Sequence, residues 1–336
     1  MVRNPLVLLA VHRFPGYNGH LKLRAAQMCR DEKDLPDAMA FYAQSRSQRS
    51  RRAAASMPPL EKLQKQAELD YRRLRSGKIE YRVLGSPAYP AALAHIDDPP
   101  LLLFVRGELE SSHNPAVALV GTRRPSAHAQ REACRFAMEF ALAEYPVVSG
   151  LAFGIDKAAH EGALAAKGTT WAVLAGGLDR PSPGAHRPLA ARILEGGGAL
   201  LGEIPPGEFP ARYAFPRRNR ILSGLTRGCV VFQAPAKSGA LITASLALDQ
   251  NRDVYVARCG LEGAASEGTR GLEAQGAPVV SGAKDIIRDW SLPVDTPSVE
   301  TLAVPETAGD LVYLMKREIE GQLHCCMGGW FEYCIA

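Results

Sequence analysis

The sequence predicts an α/β protein in which a doubly wound, mostly parallel sheet follows a small helical N-terminal domain. From Ala116 onward, short apolar runs alternate with amphipathic segments of about ten to fifteen residues, the rhythm of strands joined by crossover helices. Before Ala116 that rhythm is missing, and the chain is basic, poor in β-branched residues and helical in pattern. Glycines, arginines and hydroxyl residues gather directly after the apolar runs, where an open parallel sheet binds its ligands.

In chain order, residues 1–80 form the helical domain. Within it Pro15-Gly16-Tyr17-Asn18-Gly19, followed by Leu21, Leu23 and Ala25, fits either the hairpin of a helix-hairpin-helix element or a plain loop before a helix. Ser45 to Arg52 is an arginine-dense exposed turn or helix end. Pro87, Pro90, Pro99 and Pro100 break any long helix and lead into the second domain, 81–288. Its strands are expected at 116–120, 146–149, 170–175, 199–202, 228–233, 253–257 and 278–281. Helices are expected at 127–144, 155–166, 186–195, 218–225, 239–250 and 269–274. A Pro, Ser and Thr-rich linker, 289–309, then leads to a short tail, 310–336, with one apolar-periodic helix from Asp310 to Ile319.

Composition narrows the class. The 336 residues carry a net charge of +5 and a pI near 8.8, so a polyanion site must come from placement of charge and not from its total. The apolar run Leu6 to Val11 is too short to span a bilayer, Arg13 follows without a cleavage signal, and a cytoplasmic protein is expected. Seven cysteines without a CxxC pair argue against a disulfide framework or a zinc ribbon. Neither GxGxxG nor GxxxxGK[ST] occurs, so no nucleotide cofactor is expected, and without a metal-ligand spacing no metal is expected either.

The chemistry points to phosphate. After the first strand, Gly121, Thr122, Arg123 and Arg124 offer a close backbone approach, a hydroxyl and guanidinium forks. Ser149 and Gly150, then Phe153, Gly154 and Asp156, end the second strand, with His160 one turn further on. Asp156 and His160 have acid–base chemistry, but no nucleophile or metal spacing accompanies them, and a helix cap beside a packed histidine is the expectation. Phe209 to Arg227 holds five arginines and no acid, and a helix starting near Arg218 aims Arg217, Arg218 and Arg220, with Asn219, at one edge. Lys237, Ser238 and Gly239 open another helix. Three such loops exceed what a mononucleotide needs and suit a run of backbone phosphates, with Tyr213, Phe215 or Phe153 available for base stacking.

These residues, in this order and spacing, resemble the DNA-processing protein DprA (Smf) family. The likeness includes Ala159-His160, Gly177-Leu178-Asp179, Glu203 to Gly207, Phe215 to Ile221 and Ser238 to Thr243. Upstream it extends to Tyr89-Pro90, Leu93, Asp97, Pro99-Pro100 and Val105-Arg106-Gly107. The resemblance implies an extended Rossmann-like domain behind a SAM-like or helix-hairpin-helix unit. It also implies a single-stranded-DNA-binding homodimer that protects incoming DNA in natural transformation and loads the RecA recombinase, without being a catalyst. Arg123, Ser149, Gly150, the arginines up to Arg220, Ser238 and Gly239 would then meet DNA phosphates.

Several positions depart from the family pattern. Phe153 stands where an arginine is common, Gln233 replaces a glutamate, and Ser182-Pro183 and His186 replace a Tyr-Pro and an Asn. Arg258-Cys259-Gly260 replaces a Pro-Gly turn, and Arg270 an asparagine. The tail is short for a winged helix, and Cys325 to Trp330 lacks strand rhythm, so a degenerate or incomplete module is expected. The rival reading is a nucleotide-binding or nucleotide-cleaving enzyme related to phosphoribohydrolases, with Glu203 as its acid. The missing PGGxGT-type loop and the spread of positive charge weigh against it.

Overall fold

A computed structural model describes residues 4–16, 18–44, 56–109 and 113–290, together with the backbone of three further strands. Four helices come first: α1 (Pro5–His12), α2 (Gly19–Gln27), α3 (Leu35–Ala43) and α4 (Leu60–Gly77). Two strands, β1 (Glu80–Val83) and β2 (Leu102–Gly107), flank the short helix α5 (Ala91–Ala94). The seven expected strands follow as β3 (Val117–Val120), β4 (Val147–Ser149), β5 (Thr170–Leu174), β6 (Ala199–Gly202), β7 (Gly228–Val231), β8 (Asp253–Ala257) and β9 (Val279–Val280). The helices among them are α6 (Ala127–Leu142), α7 (Ile155–Ala165), α8 (Arg187–Glu195), α9 (Ala214–Gly224), α10 (Gly239–Asp249), α11 (Glu267–Ala274) and α12 (Ala283–Asp289).

The nine strands form one sheet in the order β1-β2-β6-β5-β4-β3-β7-β8-β9. From β6 to β9 every pairing is parallel, while β1 and β2 continue the sheet antiparallel, with Phe104 opposite Gly202. The inner strands β3 to β7 are buried along their whole length, which is why they read as unbroken apolar runs. No crossover helix announces an antiparallel edge strand, so β1 and β2 were not expected from the sequence rhythm.

Side chains alternate between two faces. Val117 and Leu119 of β3, Val147 of β4 and Val230 of β7 pack beneath α6, α7 and α12. Ala118, Val120, Val148 and Val231 face the other way, against Ile221 and Leu222 of α9 and Ala240, Ala244 and Ala247 of α10. The sheet is therefore wound on both sides. Val7, Leu8, Leu9 and Phe14 share one apolar cluster with Leu102, Phe104, Leu174 and Leu178, so the N-terminal helices have a common core with the sheet.

The loop between α1 and α2 does join two helices, and Asn18 caps the second by accepting from the Leu21 N–H at 2.8 Å. A side chain on Gly19 would collide with the Pro99 carbonyl, so this glycine serves the packing of α2 against the approach to β2. The Ser45–Arg52 patch and the expected helix 310–319 lie outside the described residues. Beyond Trp290 the backbone forms β10 (Ser298–Leu302), β11 (Leu323–Cys326) and β12 (Trp330–Ile335), an antiparallel sheet in the order β10-β12-β11. These strands fall within the segments read from the sequence as a Pro, Ser and Thr-rich linker, 289–309, and a short tail, 310–336. The strand propensity of the Trp, Phe, Tyr and Ile in 330–335 outweighs the lack of a polar alternation.

Candidate nucleic-acid interface

The chain runs from β3 outward to β6 on one side and then returns to place β7 on the other side of β3. The loop after β3 leads to α6 on one face and the loop after β7 leads to α10 on the opposite face, so the two part and open a crevice. A cleft of about 510 Å³ lies there. Arg123, Arg124, Arg218 and Lys237 line it, against one lining carboxylate, Asp156.

Each loop brings different chemistry. Arg123 and Arg124 are exposed, and the Arg123 guanidinium lies 5.8 Å from the centre of the Phe215 ring, which forms part of the wall. Gly121 and Thr122 line the base, but the Thr122 N–H is spent on the Gln233 carbonyl at 2.6 Å. Gln233 further holds this loop by accepting from the Ser126 N–H at 2.8 Å and donating to the Glu262 carbonyl at 2.9 Å. Across the cleft Ser238 caps α10 through the Leu241 N–H, and Gly239 is open to solvent with nothing near the position of a Cβ. That helix end, beside Lys237, is ready for an anion.

The second motif works from beneath. Ser149 is fully buried and its hydroxyl donates to the Leu119 carbonyl at 2.7 Å. The Gly150 and Ala152 N–H groups donate to Asp156 Oδ2 at 3.1 and 3.3 Å. Burial pushes the Asp156 carboxyl up from its usual range, opposed first by Arg218. Gly154 has a φ of +77° and no room for a side chain beside the Thr122 carbonyl, so it shapes the turn. Ser149, Gly150 and Gly154 thus position the loop and Arg218; they do not bring open donors to the cleft as expected. Phe153 is half exposed with its ring edge-on to His186, 4.5 Å between centres. His160 is buried and bonded to the Thr170 hydroxyl at 2.7 Å, as a packed histidine.

The arginine block divides. The expectation of a helix from Arg218, with three arginines at one edge, is corrected by a helix that begins at Ala214. Pro216 falls in its first turn, where a missing N–H costs nothing. Arg217 and Arg220 are then three residues apart on one face and both meet Glu203, at 2.7 and 2.6 Å. Arg218 points about 100° away around the axis, into the cleft, and donates to the Val173 carbonyl at 2.7 Å. Asn219 also lines the cleft and donates to the Gly239 carbonyl at 3.2 Å, tying α9 to α10.

Sequence reasoning missed what surrounds Glu203. His12 donates from Nε2 to its carbonyl at 2.8 Å, and buried Lys22 donates to the His12 carbonyl at 2.8 Å. Burial alone would raise the Glu203 carboxyl, yet Arg220 and Arg217, with His12 and Lys22, hold it below its usual range. Burial lowers the Lys22 ammonium to about 7. No local signal links Lys22 to Glu203, because the contact exists only once the N-terminal helices dock. At 7% exposure and ion-paired twice, Glu203 is not poised as an acid. Among the described residues, no three His, Cys, Asp or Glu side chains are grouped to hold a metal, and no helix is long and apolar enough to cross a membrane.

Fold and cleft together define an α/β protein with a cationic crevice at its switch point. The sequence model of DNA recombination-mediator protein A matches residues 80–291, and the chain belongs to that family. It is 42% identical over 204 residues to protein Smf of Escherichia coli, covering 61% of this chain and 54% of that protein. With DNA processing protein DprA of Bacillus subtilis it shares 38% identity over 207 residues, 61% of this chain and 69% of that one. The chain thus spans about half the length of the Smf relative. Among solved structures, DprA of Streptococcus pneumoniae superposes with a TM-score of 0.69 at 28% identity, over 86% of this chain and 99% of the other. DprA of Helicobacter pylori, described for its unique single-stranded DNA binding mode, gives 0.57 at 27% identity, over 64% of this chain and 97% of the other.

Proposed function

We propose that this protein binds single-stranded DNA through the β3–β7 cleft, protects incoming strands in natural transformation and loads RecA onto them. The observation that carries the reading is the cleft itself: four cationic side chains and the open start of α10 face one crevice with a single, already bonded carboxylate. Such a site holds phosphates and reads almost no sequence. The relative from Helicobacter pylori, whose binding mode for single strands is the subject of its structure, supports the choice of ligand. The homodimer belongs to the same proposal, and the apolar outer face of α10, where Leu248 is 54% exposed, is a surface that a second copy could cover.

Titration of the full chain with single-stranded and duplex oligonucleotides over a range of salt tests the reading. Tighter binding to the single strand, falling steeply and linearly in log K against log salt, is the expected result. A flat salt dependence, or hydrolysis of free nucleotides in the control reaction, would favour the enzyme reading instead. RecA loading is tested by whether the protein speeds RecA filament formation on a coated single strand.

A further inference from the structure

Phe209 and Tyr213 are 70% and 68% exposed, the most exposed large apolar side chains among the described residues. Rings of this size usually bury most of their area, and an uncovered pair on one short loop marks a binding surface. The loop is firmly built. The Gly177 N–H donates to the Glu208 carbonyl at 2.9 Å, and the Gly207 N–H donates to Asp179 Oδ1 at 2.7 Å. Pro210 packs so closely on Gly176 that a Cβ there would lie 2.9 Å from Pro210 Cδ. Phe209 is therefore held out over the carboxyl end of β5.

This loop continues the cleft. Arg218 and Phe215, which line the main crevice, also line a small depression whose other walls include Gly176 and Pro210, next to Phe209. Cations accompany the rings: the Arg180 guanidinium lies 5.6 Å from the centre of the Phe209 ring, and Arg212, the residue before Tyr213 in the chain, is exposed. The acids of the loop are engaged. Glu208 pairs with Arg13 at 2.7 Å, and Asp179 accepts from Gly207 and lies 3.8 Å from Arg180.

We propose that Phe209 and Tyr213, flanked by Arg180 and Arg212, form a base-stacking platform that carries a single strand onward from the phosphate-gripping cleft. This rests on the single-strand reading above and adds the part of the strand that is held by its bases. A duplex hides its base faces, so the platform takes unpaired bases alone, and because every base has a π face it is tolerant of sequence.

The test compares F209A/Y213A with the unaltered protein on two probes, an oligothymidylate and an abasic sugar–phosphate oligomer of equal length. The double variant should bind oligothymidylate about tenfold or more weakly, bind the abasic oligomer as before, and keep the same salt slope. F209W/Y213W should retain binding, with tryptophan emission quenched by oligothymidylate and not by the abasic oligomer. Equal oligothymidylate affinity in F209A/Y213A, or equal losses on both probes, would overturn the platform while leaving the cleft standing. Failure of the unaltered protein to bind either probe would remove the cleft reading and the platform with it.

Discussion

The guanidinium of Arg218 occupies the space that a side chain on Gly150 would need. The glycine that closes β4 is thereby a seat for an arginine delivered by α9, and the bond from Arg218 to the Val173 carbonyl fixes it there. Gly150→Ala should displace the guanidinium, cost about 1–3 kcal/mol of stability and weaken single-strand binding together. Urea unfolding and fluorescence anisotropy measure the two effects. Unchanged values of both would show that Arg218 has a second resting place.

Arg123 is exposed and touches the ring of Phe215, so Arg123→Glu should separate binding from folding. The unfolding midpoint should stay within about 0.5 kcal/mol of the unaltered protein, while affinity for a single strand drops. The neutral variant Arg123→Gln should lower the log K against log salt slope by about 0.7 if it removes one phosphate contact. Arg218→Glu behaves differently, because it sets a second carboxylate beside buried Asp156 and should impair folding as well.

Glu203→Gln removes the carboxylate that pairs with both Arg217 and buried Arg220, leaving Arg220 the more distant Asp98 at 3.6 Å. Removing one partner of such a cluster costs about 3–5 kcal/mol, far more than the pairs contribute net. Chemical denaturation should show that loss, with single-strand affinity measured on the folded fraction nearly unchanged. A folded, stable variant that had lost an enzymatic activity would instead revive Glu203 as an acid.

His160 gives the protein a defined acid sensitivity. The Thr170 hydroxyl donates to the Val147 carbonyl at 2.8 Å and so accepts from His160 Nδ1–H, leaving Nε2 as a buried lone pair without a partner. Burial, then the charges of Arg218 and His186, lower this imidazole from 6.5 to about 3. The unfolded chain takes up the proton below pH 6.5 while the folded chain does not, so stability falls as pH drops from about 6.5 towards 3. The expected slope is about 1.4 kcal/mol per pH unit. Comparing unfolding across pH for the unaltered protein and His160→Asn isolates it: parallel curves would mean that His160 does not titrate as described.

Much of this architecture was legible because parallel strands covered on both faces leave unbroken apolar runs, and all seven stand where the runs stood. A helix start was equally readable where Ser238 stands, and its side chain does cap α10 through the Leu241 N–H. The arginine block was harder. An N-terminal boundary misplaced by four residues turned three arginines that divide between two faces into three that shared one edge. The Glu203 cluster was out of reach, because His12 and Lys22 find it through tertiary docking, which no local pattern encodes. The exposure of Phe209 beside Arg180 is likewise a tertiary feature that no local residue pattern announces.

Arg217 and Arg220 of α9 hold Glu203, whose carbonyl meets His12 of α1, while Arg218 faces the crevice, all within a single turn. Inserting or deleting one residue inside that turn would rotate the side chains by about 100° and exchange their assignments. The spacing of this short run is therefore a calibrated gearing between two halves of the molecule. A change of residue type at exposed Pro216 should disturb it far less than any change in length.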